Sequence, residues 1–225
     1  MENYQHRSPL TFLTDELKFP PVEQANAEGL LAIGGDLTPE RLILAYKSGI
    51  FPWFNEGSMI MWWSPDPRMV LFPEKVNISK SMRKVLRSKQ FTLTKNRCFE
   101  TVVDLCANVK RRGQEGTWIT TEMKNAYTFL YEHGIAKSYE VWQNKKLVGG
   151  LYGIDLGSIF CGESMFSRVD NASKFGFIML AQELQSKNYQ LIDCQLPTSH
   201  LRSLGAEEIS RKRFMELLNS NISSH

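Results

Sequence analysis

The stretch 171–188 sets the strongest constraint on what this chain can become. Phe177, Leu180, Ala181 and Leu184 stand at i, i+3, i+4 and i+7, one face of a helix, and Phe175, Ile178 and Met179 occupy its other side. A helix apolar nearly all round has to be buried, so it needs a broad partner. The flanking segments supply one. Residues 137–142, 146–154 and 158–166 read as strands, the first two joined by Gln143-Asn144-Lys145 as a hairpin, and 190–195 reads as a fourth. Further helices are expected at 79–87, 120–134 and from about 211 to 219. Strand, strand, strand, helix, strand, helix predicts an α/β (α+β) fold with helices packed on a sheet.

The first third differs in character. It is rich in turn residues: Pro20-Pro21, Gly34-Gly35-Asp36, Pro52 and Ser64-Pro65-Asp66-Pro67. One helix is legible there, with Thr38 as N-cap, Pro39 at N1, an apolar stripe of Leu42, Ile43, Ala45 and Tyr46, and Gly49 at C′. Two prolines stiffen 64–67, so the expected division is 1–66 as a small N-terminal domain and 67–225 as the main domain.

Composition narrows the class. With 225 residues, 42% apolar and 23% charged, the chain has the make-up of a globular protein and excludes wholesale disorder. No apolar run approaches the roughly 18–20 residues of a membrane span, and the first residues lack a basic segment followed by an apolar one, so a cytoplasmic protein without membrane contact is expected. Cys98, Cys106, Cys161 and Cys194 form no CxxC pair and no metal spacing; they read as reduced thiols, and neither metal nor cofactor is implied.

Chemistry has four candidate locations. In the strand 190–195, a period of two sends Asp193 and Gln195 to one face and Ile192 and Cys194 to the other. There the carboxylate could orient the amide or accept a proton, and the amide could donate to a developing oxyanion. The bland alternative is a polar pair capping a loop. In Phe160-Cys161-Gly162-Glu163-Ser164-Met165-Phe166, alternation puts Cys161, Glu163 and Met165 on one face. Glu163 in so apolar a strand either awaits a cationic group or pairs with an arginine such as Arg168. Lys80, Arg83, Lys84 and Arg87 fall at i, i+3, i+4 and i+7 with no acid among them, and Lys110-Arg111-Arg112 adds a second cluster. Such stripes suit phosphate backbones, although most charge runs are solvated faces. Trp53, Trp62, Trp63 and Trp118 could stack on bases or fill the core. A cysteine nucleophile is disfavoured, since His200 is the only histidine near Cys194 in sequence.

Five motifs then converge. Gly49-Ile50-Phe51-Pro52-Trp53-Phe54, Trp62-Trp63-Ser64-Pro65-Asp66-Pro67-Arg68, Glu115-Gly116-Thr117-Trp118-Ile119-Thr120, Phe160-Cys161-Gly162-Glu163-Ser164-Met165-Phe166-Ser167 and Leu191-Ile192-Asp193-Cys194-Gln195 follow one another in an order that resembles the bacterial leucyl/phenylalanyl-tRNA–protein transferase family. The resemblance implies a GNAT-like acyltransferase domain behind a small N-terminal domain. It implies transfer of Leu or Phe (Met less well) from Leu-tRNA or Phe-tRNA to the N-terminal Lys or Arg of acceptor proteins, which marks them for the bacterial N-degron pathway. By position, it implies Asp193 and Gln195 as the catalytic pair and Glu163 as the acid that handles the acceptor. It implies Met165, Phe177, Leu180 and Leu184 as the amino-acid pocket, Trp118 and Phe160 beside the adenosine or its ester, Trp53 among the substrate-site aromatics, and Lys80, Lys84 and Arg87 on the tRNA acceptor stem. Leu151 and Leu180 depart from the family's Met and Phe but stay apolar. The aminoacyl ester is already activated, so direct aminolysis needs no covalent enzyme intermediate.

Two other classes compete. An acetyl-CoA-dependent acetyltransferase would show a glycine-rich loop for pyrophosphate, and Ser167-Arg168-Val169-Asp170-Asn171-Ala172-Ser173-Lys174 lacks those glycines. A non-catalytic RNA-binding module would rely on the tryptophans and basic helix alone.

Overall fold

A computed structural model describes residues 10–109 and 118–222. Its N-terminal part holds β1 (Thr11–Leu13), β2 (Leu30–Gly34), α1 (Pro39–Lys47), β3 (Phe51–Pro52) and β4 (Met61–Trp63), and the strands form a sheet in the order β1-β2-β4-β3. Helix α1 begins at Pro39 as expected, but the Thr38 side chain does not cap it. Asp36 organises that entry instead, its Oδ1 accepting from the Thr38 N–H at 2.9 Å and from its hydroxyl at 2.5 Å. Gly49 terminates the helix with φ +72°, where a Cβ would come within 2.5 Å of Met215 Sδ. Only glycine satisfies both demands.

The main part contains β5 (Arg68–Leu71), α2 (Lys80–Arg87), β6 (Thr92–Lys95), α3 (Phe99–Ala107) and α4 (Thr121–Glu132). The hairpin β7 (Ala136–Gln143) and β8 (Lys146–Asp155) follows, then β9 (Ile159–Ser167), α5 (Ala172–Ser186), β10 (Leu191–Gln195), α6 (Ser199–Ser203), β11 (Glu207–Ile209) and α7 (Arg211–Ile222). Seven strands form one mixed sheet ordered β11-β5-β10-β9-β8-β7-β6. β9 and β10 run parallel while their other neighbours are antiparallel. A parallel pair needs a crossover, which is why the apolar α5 stands between them in sequence. Asn144 and Lys145, at φ +51° and +60°, make the tight turn between β7 and β8.

The expected α/β organisation is therefore present, with more strands than the four anticipated. β5 was not foreseen, since four residues without alternation, all buried, carry little periodic signal. Its insertion between β10 and β11 places Arg68 beside Asp193.

Side chains alternate between two cores. On one face Tyr152, Cys161 and Leu191 pack with α3, α4, α7 and the N-terminal residues Leu42, Tyr46 and Trp62. On the other, Leu151, Phe160 and Ile192 pack under α5, which buries Phe175, Phe177, Ile178, Leu180 and Leu184. The N-terminal part thus shares a core with the main sheet. Among the described residues, no helix is long and apolar enough to cross a membrane.

Candidate active site

The site arises where the sheet opens. Pairing of β9 with β10 ends at Cys161 opposite Asp193. Beyond that point, residues 162–165 of one strand and 194–196 of the other line a cavity of about 380 Å³. Volumes of roughly 300–1,000 Å³ are usual for small-ligand sites. One wall is apolar, made of Leu151, Met165, Phe177 and Leu180. A second wall is mainly aromatic, made of Phe51, Trp53 and Trp118 with Pro52 between the first two. Trp53 is 38% exposed and is braced by Trp63, whose ring lies 5.6 Å away and whose Nε1 donates to the Trp53 carbonyl at 2.7 Å. Trp62 belongs to the core, with its Nε1–H donating to Gly34 O.

Glu163 and Gln195 form the polar floor. Gln195 Nε2 donates to Glu163 Oε1 at 3.0 Å, Tyr127 Oη donates to Glu163 Oε2 at 2.6 Å, and the Tyr46 hydroxyl lies 2.8 Å from that of Tyr127. No cation pairs with Glu163 among the described residues, and Arg168, the suggested structural partner, is exposed. Burial pushes the Glu163 carboxyl up to about 7; hydrogen bonds from the tyrosines and Gln195 oppose the rise, and the Asp193 charge adds to it. Burial holds both phenols well above their ordinary range, so they remain donors.

Two bulges correct simple alternation. Gly162 opposes Gly153 while Ser164 opposes Tyr152, which leaves Glu163 as the extra residue of β9. In consequence Cys161, Glu163 and Met165 do not share one face: Cys161 lies in the core under α3 and α4, and Met165 packs on the α5 side. In β10, Asp193 opposes Val70 and Gln195 opposes Met69, so Cys194 is extra and Gln195 takes φ +64°.

Asp193 and Gln195 consequently occupy different surroundings. Asp193 is 1% exposed and does not line the cavity. Its Oδ1 accepts Arg68 Nε at 2.8 Å and the Gln195 backbone N–H at 3.0 Å, while Oδ2 accepts Arg68 Nη2 at 2.7 Å. The Gln195 side chain is oriented by Glu163, not by Asp193 as the strand alternation suggested. Among the other expected residues, Phe160, buried under α5, and Leu184, on the buried side of α5 itself, lie behind the lining. Phe160 packs where a Cβ on Gly153 would reach its ring at 2.6 Å.

The cavity thiol offers no nucleophile, since burial, reinforced by the Asp193 charge, pushes Cys194 up, and the same forces act on Cys161. His200 lines the cavity; its Nε2 has no hydrogen-bond partner among the described residues, and burial with nearby Lys174 lowers its pKa. The basic residues of α2 stand apart from this floor. Ser79 Oγ caps that helix by accepting from Met82 N–H, and Lys80, Arg83, Lys84 and Arg87 project exposed without ion pairs among the described residues. The cluster Lys110-Arg111-Arg112 lies outside the described residues. Sequence reasoning missed Arg68, Tyr46 and Tyr127 because the contacts that define them span 125, 81 and 36 positions, beyond any local pattern.

A family model described as leucyl/phenylalanyl-tRNA protein transferase matches residues 70–219, and one for that family's N-terminal domain matches residues 35–66. A leucyl/phenylalanyl-tRNA–protein transferase of Flavobacterium johnsoniae is 62% identical over 209 residues, covering 93% of this chain and 99% of the relative. That of Pseudomonas fluorescens is 53% identical over 216 residues, covering 95% of each chain. Among solved structures, a GCN5-related N-acetyltransferase of Kribbella flavida is similar at TM-score 0.40 and 9% identity, over 75% of this chain and 60% of that one.

Proposed function

The chain belongs to the leucyl/phenylalanyl-tRNA–protein transferase family and is an aminoacyltransferase, and we propose that it moves Leu or Phe, and Met less well, from aminoacyl-tRNA to the N-terminal Lys or Arg of acceptor proteins. The observation that carries this reading is the Glu163–Gln195 couple on the floor of a cavity with one apolar and one aromatic wall. The apolar wall suits an uncharged side chain. Desolvation disfavours Asp, Glu or Lys there, while one methylene discriminates by only about 1–3 kcal/mol, so Met enters less well rather than not at all. Trp53 and Trp118 offer ring surface to the terminal adenosine.

The aminoacyl ester needs only an unprotonated amine and alignment. An α-amine has a reference pKa near 7.7–8.0, and a carboxyl near 7 is matched to receive its proton. Glu163 in its ionised form holds the incoming ammonium and takes that proton. The Gln195 amide, already directed at Glu163, lies beside the developing tetrahedral centre and donates to its oxyanion. The bond formed joins the amine nitrogen to the ester carbonyl carbon; the bond broken releases the terminal ribose oxygen, which leaves protonated. The exposed face of Lys80, Lys84 and Arg87 meets the acceptor stem, since phosphate contacts position a nucleic acid without reading its sequence. The product carries a new N-terminal Leu or Phe and enters the cytoplasmic N-degron pathway of bacteria.

The test is incubation with labelled Phe-tRNA and a peptide beginning with Arg, beside the same peptide acetylated at its N-terminus. Label enters the free-amine peptide only. Equal labelling of both, or of neither, overturns the reading.

A further inference from the structure

Arg68 is 1% exposed, and every nitrogen of its guanidinium has a partner. Nε and Nη2 grip the two oxygens of Asp193 at 2.8 and 2.7 Å, and Nη1 donates to Gly49 O at 3.3 Å. The group also lies 4.7 Å from the ring centres of both Phe51 and Phe214. These partners come from separate parts of the chain. Phe51 forms part of the aromatic wall of the cavity, Gly49 is the turn before it, Phe214 is on α7, and Asp193 is on β10. Asp193 in turn accepts the Gln195 N–H at 3.0 Å, and Gln195 is a non-glycine residue at φ +64° in a bulge. An L-residue keeps that conformation where its surroundings over-determine it, and a buried carboxylate fixed by a planar bidentate fork provides the constraint.

We propose that Arg68 is a positioning residue for the transfer reaction, acting through Asp193 to hold the β10 bulge that aims Gln195 at Glu163, and through Phe51 to keep the aromatic wall in register with that floor. Asp193 has no oxygen facing the cavity and serves as the clamp between Arg68 and the Gln195 backbone. Lysine cannot replace the guanidinium, because a single ammonium does not span both carboxylate oxygens and the Gly49 carbonyl. The inference rests on the proposed transfer reaction for its kinetic consequences, and on the geometry alone for its structural ones.

The experiment therefore has two arms, using Arg68→Lys, Asp193→Asn and the double variant in the full chain. In the first arm, hydrogen exchange of the folded protein reads the Gln195 backbone amide. It is protected in the unsubstituted protein and exchanges at least about tenfold faster in Arg68→Lys, while amides of β7 and β8 keep their protection. In the second arm, transfer from Phe-tRNA to the Arg-initiated peptide is measured between pH 6 and 8.5. Arg68→Lys lowers kcat by about tenfold to a hundredfold, changes KM for Phe-tRNA by less than about twofold, and moves the pH midpoint upward, because a misdirected Gln195 no longer donates to ionised Glu163. The double variant is no slower than the slower single one, because both substitutions break the same clamp. Unchanged Gln195 exchange, an unchanged kcat, a lowered or unmoved pH midpoint or additive losses each overturn the proposal. If the unsubstituted protein transfers nothing, the transfer reading fails, and the exchange arm still decides whether Arg68 holds the bulge.

Discussion

Glu163 and Asp193 sit on neighbouring strands at the end of the same parallel pairing, yet their environments are opposites. Asp193 is fully buried and matched with a guanidinium that satisfies both oxygens. Glu163 faces a cavity and is held by neutral donors, an amide and phenols, with no cation paired to it among the described residues. Glu163, raised by burial to about 7 and supported by neutral groups, can change protonation near pH 7. Two carboxylic acids on neighbouring strands thus divide structural and chemical work according to what donates to them.

Glu163→Gln keeps the shape and an acceptor oxygen but removes the titrating group, so kcat/KM for the acceptor peptide falls by about 10²–10⁴. Its thermal midpoint stays close to that of the parent. A transfer rate within a few-fold of the parent removes Glu163 from the chemistry. Asp193→Ala acts the other way, stranding a buried guanidinium at a cost of about 3–5 kcal/mol in denaturant unfolding. A loss below about 1 kcal/mol there would show that Arg68 finds water or another partner.

Subtler changes sharpen the contrast. The Glu163 carboxyl is raised in the folded state, so the native protein binds more protons than the unfolded chain between about pH 4.5 and 7. Stability from this group is therefore full below pH 4.5 and declines as pH rises towards 7. Glu163→Gln flattens that decline, as urea unfolding at several pH values will reveal. Tyr127→Phe removes a donor to the ionised form, so the pH midpoint for transfer moves upward; a downward move contradicts the network. The smallest effect belongs to the surface. Lys84→Ala with Arg87→Ala lowers the slope of log affinity for tRNA against log salt by about 1–2. An unchanged slope means that α2 is only solvated.

Much of the frame was legible locally. The apolar α5, the β7–β8 hairpin and the Gly49 stop rest on periodicity, turn chemistry and a left-handed cap, all of which act within a few residues. The site was legible in its members but not in its arrangement. Glu163 and Gln195 stood out as polar residues in apolar strands, yet the bulges that bring them within 3.0 Å depend on registers set by β8 and β5. Tyr46 read as one more apolar residue of the α1 stripe, and only the fold places its hydroxyl against Tyr127. Arg68 looked like the end of a proline-stiffened turn, since nothing in 64–68 announces an aspartate 125 positions away.

The measurement that bears most directly on the central claim is the pH dependence of label transfer from Phe-tRNA to the Arg-initiated peptide, run in parallel for the parent chain and Glu163→Gln. The parent rate climbs through a midpoint near 7, and the residual rate of the variant climbs only with the peptide's own amine near 8. Superimposable profiles for the two proteins would contradict Glu163 as the proton acceptor.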